Sequence, residues 1–249
     1  MSQFDVYGKM ASSNVCDDII QNGRYSIQSD AETHIPSDVF TKLNLTADDV
    51  FLDIGCGLGL NLKPATKIAN KVVGCDHPNV IKKLLEKEPD LKAELIGGNF
   101  LETRFPLQYT KILSYSVLHT MPDIQTLYQF VDKVLELLHP CGKALLGDMA
   151  NIDKKKRFLD TQAGKRFQKT WDKLRTETTQ EHEMSDFHND EDITAVVLTD
   201  DVVLKLIQYI RNKGFHAYLL DQPQNLPFGH TREDLLIVGP EYEDFIHRD

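Results

Sequence analysis

The stretch that decides the fold is FLDIGCGLGLNL, residues 51–62. It starts as an apolar run, reaches an acid at Asp53, and then breaks into alternating glycines, Gly55, Gly57 and Gly59. A strand that stops in a glycine-rich turn and restarts as a helix makes a hollow lined by backbone N–H groups, where a ligand can approach closely. The stretch therefore predicts a binding site at the end of a buried strand.

The spacing of these glycines bears on the identity of the ligand. The dinucleotide fingerprint needs G-x-G-x-x-G, and Leu60 stands where its third glycine belongs. Asp53, two residues before Gly55, would also repel a pyrophosphate. S-adenosylmethionine carries an ammonium and a sulfonium and no phosphate, so an acid beside the glycines complements it. The alternative is that Asp53 is a buried acid that caps the following helix.

Length and charge limit the classes of partner. A chain of 249 residues buries one large α/β core, and no linker rich in Pro, Gly or Ser divides it. The formal net charge of −10 argues against non-specific binding to a nucleic-acid backbone. We therefore expect a single domain that binds a small molecule, with no nucleic-acid partner.

Cysteine usage and hydropathy indicate the compartment. The four cysteines, Cys16, Cys56, Cys75 and Cys141, form no C-x-x-C pair, which favours reduced thiols. The N-terminal MSQFDVYGKM lacks the apolar core of a signal peptide, and no apolar run approaches the roughly twenty residues that a membrane helix needs. The sequence predicts a cytoplasmic protein without membrane contact.

Strand-like and helix-like periodicity alternates from residue 36 onward, with Pro36 and Ser37 as the first helix-start signal. The apolar patterns predict strands at 50–54, 71–76, 93–100, 111–117 and 142–149. They predict helices at 60–69, 77–88 and 122–140, the last closed by Pro140. Such alternation predicts a parallel sheet with helices on both faces.

The C-terminal third departs from this alternation. After a predicted helix at 200–214 come two strand-like runs, 215–222 and 234–240, joined by a loop too short for a helix. Two strands joined in this way must be antiparallel. The sequence therefore predicts an α/β fold of the Rossmann type, with a mostly parallel sheet of seven strands and a reversed C-terminal hairpin.

This arrangement resembles the class I S-adenosylmethionine-dependent methyltransferases over residues 36–240. The residues that carry the resemblance are the motif at 53–59, Asp76 at the end of the second strand, Gly98-Asn99-Phe100 after the third, SYSVLHTMPD (114–123) after the fourth, and LLHPCGKALLGD (137–148) through the fifth. The family usually has Gly-Gly where this chain has Cys141-Gly142, a departure that affects only a turn.

The resemblance implies a set of cofactor-binding residues: Asp53, Gly55, Cys56, Gly57, Gly59, Asp76, His77, Asn99, Phe100, Tyr115 and Ser116. Asp76 follows Gly55 by 21 residues, where an open α/β fold places an acid on the ribose hydroxyls. The alternative is that it caps the helix entered at Pro78, and both roles are compatible, but its position at a strand end favours the ribose. In the family, Asn99 and Phe100 would flank the adenine, and Tyr115 and Ser116 would border the methionyl part.

His119 lies just past the fourth strand, where the resemblance places the methyl donor. As a general base it would take the proton of a substrate hydroxyl, and an ordinary pKa near 6.5 suits that task. The alternative is a histidine that only lines the pocket, as in many family members. His119 is the one catalytic residue that we predict.

The loop between the last two strands should emerge at the same edge of the sheet. It brings His230 and Arg232, which suit a phosphate or carboxylate group of the substrate. The alternative is that Arg232 pairs with its neighbour Glu233 or Asp234. Tyr25 and His34, from the segment before the sheet, complete the predicted substrate-binding residues.

Two segments lie outside the core pattern. We predict that residues 1–35 form an N-terminal cap and that residues 36–249 form the methyltransferase domain. An insert at 151–195 carries Phe158, Phe167 and Trp171 at helical intervals, which predicts a helix over the cleft followed by a lid; a plain solvated helix is the alternative. No H-x-x-x-H or H-x-x-E-H pair occurs on a predicted helix, so we predict no metal site.

The predicted function is methyl transfer from S-adenosylmethionine to an oxygen of a small polar metabolite. The stretches GRYSIQSDAETHIP (23–36), KKKRFL (154–159) and NLPFGHTREDLLIV (225–238) resemble uncharacterised bacterial methyltransferases that accompany surface-polysaccharide biosynthesis. That resemblance implies a sugar, a nucleotide-sugar or a phosphorylated capsule precursor as acceptor. The alternatives are an RNA or protein methyltransferase and a non-catalytic S-adenosylmethionine-binding scaffold. The sequence does not predict the oligomeric state.

Overall fold

A seven-stranded sheet forms the centre of the molecule. The computed structural model describes residues 2–13, 21–177 and 195–241. The strands in these ranges are β1 (Val50–Ile54), β2 (Lys71–Asp76), β3 (Glu94–Gly97), β4 (Tyr109–Tyr115), β5 (Leu138–Met149), β6 (His216–Asp221) and β7 (Glu233–Val238). Their order across the sheet is β3-β2-β1-β4-β5-β7-β6.

The direction of the strands confirms the predicted topology. Strands β3, β2, β1, β4 and β5 pair in parallel, whereas β7 runs antiparallel to both β5 and β6. The carboxyl ends of β1, β2, β4 and β5 therefore meet at one edge, and the loop between β6 and β7 opens at that same edge. In open α/β sheets this is the edge where ligands bind.

Helices cover both faces of the sheet, as predicted. The helices in the described ranges are α1 (Gln3–Ser12), α2 (Ser29–Glu32), α3 (Ile35–Leu43), α4 (Leu62–Ala65), α5 (Pro78–Lys87), α6 (Ile124–Leu137), α7 (Ile152–Leu159), α8 (Gln162–Glu177) and α9 (Asp200–Asn212). Successive strand residues point to opposite faces. In β1, Phe51 joins the core cluster of α3, α4 and α5, while Leu52 joins that of α6 and α9.

The helix after the glycine turn is shorter than the predicted 60–69. Only Leu62–Ala65 is α-helical. The chain continues instead in tight turns, in which the Lys67 and Ile68 N–H groups donate to the carbonyls of Pro64 and Ala65, at 3.1 and 2.9 Å.

Two other boundaries differ from the sequence prediction. Helix α6 ends at Leu137 and β5 begins at the next residue, so Pro140 lies in the strand rather than closing the helix. Leu138 already pairs with Tyr109 of β4, and a register shift follows that pair. The insert forms two helices, α7 and α8, rather than one; its residues 178–194, including the predicted lid, lie outside the described residues.

The described parts of the chain contain free thiols, but neither a helix that could span a membrane nor a cluster of three metal ligands. None of their helices is both long and apolar enough to cross a membrane. No group of three His, Cys, Asp or Glu side chains there is arranged to hold a metal ion. Cys56, Cys75 and Cys141 are free thiols, and Cys16 lies outside the described residues.

Candidate active site

Two cavities open at the carboxyl edge of the sheet. The first, which we name the glycine cavity, has a volume of about 270 Å³ and is lined by the turn Gly55, Cys56 and Gly57 together with Asp76, Phe100 and Ser116. The second, the aromatic cavity, has a volume of about 430 Å³ and is lined by Tyr25, Phe167, Trp171, Phe228, His230 and Arg232. Concave sites with few polar groups are where small ligands bind.

The glycine turn takes a backbone conformation that side chains oppose. Gly55 has φ +75° and Gly57 has φ +53°, in the left-handed region that favours glycine. A Cβ atom on Gly55 would lie 2.5 Å from Cγ2 of Val117. The N–H groups of Gly55 and Cys56 donate to the Cys75 carbonyl, at 2.8 and 3.2 Å, which fixes the turn against β2.

Asp76 forms the wall of the glycine cavity at the end of β2. Its Oδ2 accepts a hydrogen bond of 2.8 Å from the Gly57 N–H, and its Oδ1 accepts one of 2.6 Å from the His77 N–H. Burial raises the pKa of Asp76, and these two hydrogen bonds oppose that shift. The side chain is therefore held rigidly at the position where sequence reasoning expected a ribose ligand.

Asp53 is buried and does not reach the glycine cavity, although its predicted role was to contact the cofactor there. It is 1% exposed and does not line the glycine cavity, and its Oδ2 makes no hydrogen bond within the described residues. Burial, and then the nearby Asp76, raise its pKa to about 8. In the part of the chain that the structure describes, neither acid forms an ion pair with Lys or Arg. The alternative role as a helix cap is not seen, since α4 has no side-chain cap.

Most of the predicted cofactor-binding residues come together. Those that line the glycine cavity are Gly55, Cys56, Gly57, Asp76, Asn99, Phe100, Tyr115 and Ser116. Asp53, Gly59 and His77 do not line it. His77 instead caps α5, where its Nδ1 accepts from the Asn79 N–H at 3.1 Å, and its ring packs 4.8 Å from that of Phe4. Burial raises the pKa of both Cys56 and Cys75, the latter to about 12, so neither suits a nucleophile.

The N-terminal segment contributes residues that sequence reasoning did not single out. Phe4, Gln21, Asn22 and Arg24 line the glycine cavity together with Tyr7. Burial raises the pKa of the Tyr7 hydroxyl. The only signal in the sequence was the polar stretch that follows Gln21. That stretch did not predict which of these side chains would face the cavity.

The glycine cavity contains buried polar atoms that suit S-adenosylmethionine. Gln21 Oε1, Asn61 Oδ1 and Arg24 Nε are buried and make no hydrogen bond within the described residues. All three residues line the cavity, whose walls are otherwise largely apolar. Buried polar groups require partners, and two acceptors with one donor match the ammonium and the carboxylate of the methionyl part. The residues present therefore fit this cofactor.

A carboxyl group bridges two arginines between the cavities. Asp148, near the end of β5, lies 3.7 Å from Nη2 of Arg24 and 3.8 Å from Nε of Arg232. Ser116 Oγ donates to Asp148 Oδ2 and accepts from Arg24 Nη2 at 3.1 Å. Ser116 and Asp148 have φ +63° and +56°, and such backbone strain in residues other than glycine clusters at functional sites. Asp148 was missed, although it is an acid at a strand end like Asp53 and Asp76.

Arg232 does not pair with its neighbour Glu233 or Asp234, which was the alternative to a role in substrate binding. Glu233 instead accepts from Asn151 Nδ2 at 2.6 Å, and Asp234 accepts from Lys42 Nζ at 2.7 Å. The Arg232 guanidinium lies 4.9 Å from the ring centre of Phe228. Its Nη1 is buried and makes no hydrogen bond within the described residues, so it offers a donor to a ligand in the aromatic cavity.

His119 lies close to this bridge but lines neither cavity. Burial, and then the charge of Arg232, lower its pKa to about 4, well below the ordinary value of 6.5 on which the sequence prediction relied. Its Nδ1 is buried and makes no hydrogen bond within the described residues. The imidazole is therefore neutral at physiological pH and keeps a nitrogen available.

Three of the four predicted substrate-binding residues lie at a cavity, and one does not. Tyr25, His230 and Arg232 line the aromatic cavity. The His230 ring stacks on Phe158, with the ring centres 4.7 Å apart and an interplanar angle of 9°. His34 is exposed at the start of α3 and lines neither cavity.

Residues 22–25 form part of the wall between the two cavities. Asn22 and Arg24 line the glycine cavity, whereas Gly23 and Tyr25 line the aromatic cavity. Arg24 holds this segment in place, since its Nη1 donates to the Asn22 carbonyl at 2.9 Å and lies 3.4 Å from Glu32 Oε1. The two cavities therefore share one short stretch of backbone.

Known proteins share this fold. The solved structures that superpose on the chain include the N-methyltransferase NodS from Bradyrhizobium japonicum WM9 with S-adenosyl-L-homocysteine (TM-score 0.58, 12% identity, covering 95% of this chain and 99% of that one). Another is phosphoethanolamine N-methyltransferase 1 from Haemonchus contortus with phosphoethanolamine and S-adenosylhomocysteine (TM-score 0.67, 13% identity, 94% and 47% covered). A third is magnesium protoporphyrin IX methyltransferase from Synechocystis PCC 6803 with bound S-adenosylhomocysteine (TM-score 0.56, 13% identity, 94% and 93% covered).

The sequence comparison bears on the family. No protein of curated function matches the sequence. Residues 52–146, which run from the glycine turn through β5, match the family model described as a methyltransferase domain. This match covers the strands that build the glycine cavity, and the cavity fits the cofactor bound in the solved structures. Residues 52–146 therefore match a methyltransferase domain, and the chain has the fold of the solved methyltransferases that hold S-adenosylhomocysteine.

Proposed function

We propose that this methyltransferase transfers its methyl group to a hydroxyl oxygen of a small polar metabolite that carries an anionic group. A sugar phosphate, a nucleotide-sugar or a phosphorylated precursor of a surface polysaccharide would meet this description. The observation that carries the proposal is Arg232, whose Nη1 is buried without a hydrogen-bond partner in the described residues while the side chain lines the aromatic cavity. A guanidinium in that state suits a phosphate or a carboxylate.

The charges around the aromatic cavity support an oxygen acceptor over an amine. Lys155 and Arg232 line it, and its described lining includes no Asp or Glu. An amine acceptor is protonated at neutral pH and would be repelled by these two cations. Two of the superposed solved structures are N-methyltransferases, but at 12–13% identity the likeness extends to the fold and not to the acceptor.

Cofactor binding would use the residues that line the glycine cavity. Asp76 would take the ribose hydroxyls, Asn99 and Phe100 would contact the adenine, and Arg24 would pair with the methionyl carboxylate. S-adenosylmethionine supplies a methyl group activated by its sulfonium. The transfer is an in-line displacement, so the protein contributes chiefly by aligning the acceptor and excluding water.

His119 would accept the proton that the acceptor hydroxyl loses. A neutral imidazole with a low pKa is a weak base, but a hydroxyl becomes strongly acidic as its oxygen gains a methyl group. A weak base in the right position therefore suffices late in the reaction. The buried, unpartnered Nδ1 of His119 beside Arg232 and Asp148 supports this role.

The test is a screen for consumption of S-adenosylmethionine with phosphorylated sugars, nucleotide-linked sugars, their neutral parent sugars and matched amines. We expect turnover with anionic hydroxyl compounds, little with neutral ones and none with amines. Activity should persist in EDTA, since the mechanism needs no metal. Turnover confined to amines would contradict the proposal. The variant Arg232→Ala should lose the preference for anionic acceptors, whereas Arg104→Ala, at a distance from both cavities, serves as the charge-matched control.

A further inference from the structure

We propose that the acceptor carries a planar aromatic or heteroaromatic ring joined to its anionic group, and that the aromatic cavity binds the ring. This inference rests on the proposed function, because it specifies the acceptor of the same site. The shared chemistry is a flat ring attached to a phosphate or a carboxylate, as in a nucleotide or an aromatic acid. The geometry that points to it is a continuous set of aromatic rings beside two cations.

The rings around the cavity contact one another through Trp171. Its ring centre lies 5.4 Å from that of Tyr25, 6.1 Å from that of Phe167 and 6.3 Å from that of Phe228. Phe167 in turn lies 5.4 Å from the His230 ring. These distances fall in the range of stacked and edge-to-face aromatic pairs. A flat ligand ring entering the cavity would therefore meet aromatic faces from three separate segments of the chain.

These rings are not explained by an ordinary hydrophobic core. Helix α8 carries Phe167 and Trp171 four residues apart, on one face of the helix. Among the α8 side chains that the structure describes, only the position of Gly164 is buried, and Phe167 is 37% exposed. Large apolar side chains left partly exposed around a cavity mark a binding surface. The alternative of a plain solvated helix would leave this aromatic face without a role.

The cations decide what the ring must carry. Arg232 and Lys155 line the same cavity, and Arg232 Nη1 has no hydrogen-bond partner in the described residues. A neutral ring alone would leave the buried Nη1 donor of Arg232 without an acceptor, which is costly. An anion without a ring would leave the aromatic surface exposed to water. Only a molecule with both parts complements both halves of the cavity.

Trp171 provides a direct readout, because it is the only tryptophan in the chain. We would titrate the S-adenosylhomocysteine-bound protein with four probes and follow tryptophan fluorescence and calorimetric binding. Uridine diphosphate and phenylacetate carry a ring and an anion, glucose phosphate carries an anion without a ring, and phenylethylamine carries a ring and a cation. We expect the first two to bind at least about tenfold more tightly than the last two. The stronger of the first two then distinguishes a nucleotide from an aromatic acid.

Variants separate stacking from general packing. Trp171→Leu keeps an apolar side chain, and calorimetry should show at least about tenfold weaker binding of the ring-bearing anions, with glucose phosphate unchanged. Leu174→Ala is the matched control, since Leu174 is also a large, 41% exposed residue of α8 but does not line the cavity. Phe228→Leu repeats the test on a different segment in case Trp171→Leu does not fold.

The outcomes distinguish this inference from the proposed function. Equal binding of glucose phosphate and the ring-bearing anions, or binding unaffected in both aromatic variants, would overturn the inference. Methylation of a ringless sugar phosphate at a normal rate by Trp171→Leu would overturn it while leaving the proposed function intact. Trp171-dependent binding of ring-bearing anions without methyl transfer to any anionic hydroxyl compound would support the ring site and reject the proposed function.

Discussion

The glycine cavity and the aromatic cavity are built in different ways. Most of the glycine cavity comes from the ends of adjacent strands: Gly55 directly follows β1, and Asp76 and Tyr115 are the last residues of β2 and β4. The aromatic cavity is assembled from three segments far apart in the chain, 23–25, 150–171 and 228–232. Strand ends are positioned by the sheet itself, whereas the second cavity depends on how insert, hairpin loop and N-terminal segment pack together. The sheet therefore fixes the glycine cavity, and under the proposed function the peripheral segments determine the acceptor.

The two cavities also differ in charge. Asp53 and Asp76 lie at or behind the glycine cavity without a Lys or Arg ion pair in the described residues, and Lys155 and Arg232 line the aromatic cavity. Asp148 separates them, with an arginine on either side. Asp53 retains its proton near neutral pH and Arg24 lines the glycine cavity beside Asp76, so that cavity has no strong net charge, whereas the two cations of the aromatic cavity suit an anionic acceptor. Variants on one side should therefore change one substrate and leave the other unaffected.

The largest effect is expected at the boundary between the two cavities. If His119 accepts the proton, His119→Ala should lower kcat by about 10²–10⁴ at saturating concentrations of both substrates. His216→Ala, an exposed histidine on β6, is the control. Because the neutral imidazole is the active form and its pKa is about 4, activity should hold through pH 6.5 and fall only as the pH approaches 4. Near-normal kcat in a folded His119→Ala protein would mean that the residue only supports the pocket and that positioning alone drives catalysis.

On the acceptor side, Arg232→Ala should raise the acceptor KM and leave the affinity for S-adenosylhomocysteine unchanged. Loss of a hydrogen bond to a charged group costs about 1.5–3 kcal/mol, or roughly 10- to 150-fold in KM. Arg232→Lys keeps the charge but loses the planar fork, and we expect it to recover only part of the loss. A drop in kcat with unchanged KM would instead indicate a role in the transition state.

On the donor side, Asp76→Ala should weaken S-adenosylhomocysteine binding by about 1–3 kcal/mol, because the ribose hydroxyls would lose a buried partner. Isothermal titration calorimetry measures this directly, and the acceptor KM at saturating donor should not change. Asp90→Ala, an exposed acid just after α5, serves as the control. Tight binding of NAD without binding of S-adenosylmethionine would contradict the assignment of this cavity.

The smallest effect concerns Asp53 and pH. Its pKa of about 8 exceeds the ordinary 3.8, so near neutral pH it retains a proton that a cationic ligand would displace. Binding of S-adenosylmethionine should therefore strengthen as pH rises from about 6 to about 8, by at most about tenfold per pH unit. S-adenosylhomocysteine lacks the sulfonium charge and should show a shallower slope, and Asp53→Asn should remove the difference. Parallel slopes for the two ligands in the wild-type protein would show that Asp53 does not sense that charge.

The sequence predicts much of the lining of the glycine cavity because its signals are local. The glycine turn, Asp76 and Asn99 each follow a strand that apolar periodicity identifies, and a parallel sheet brings such strand ends together whatever the loops do. The same rule would have found Asp148. The depth of Asp53 could not be read from the sequence, because it depends on which face of β1 receives each side chain.

The acceptor side is predicted only in part, since its geometry depends on contacts between distant segments. The rings of Tyr25 and Trp171 pack with their centres 5.4 Å apart although the two residues lie far apart in the chain, and no local pattern reports such a pair. The interval between Phe167 and Trp171 predicted a helix over the cleft, but not which other segments complete the aromatic cavity. The low pKa of His119 likewise arises from burial beside Arg232, which lies on a different loop.

The backbone shared by the two cavities bears on the order in which the substrates bind. Asn22 and Arg24 face the glycine cavity while Gly23 and Tyr25 face the aromatic one. Arg24 already holds this stretch in place, and a donor that engages Arg24 would reinforce it, so the acceptor wall would be most rigid after the donor has bound. We therefore expect a sequential kinetic mechanism with compulsory order, S-adenosylmethionine first. Initial-rate and product-inhibition experiments, in which S-adenosylhomocysteine should compete only with the donor, would reveal that order.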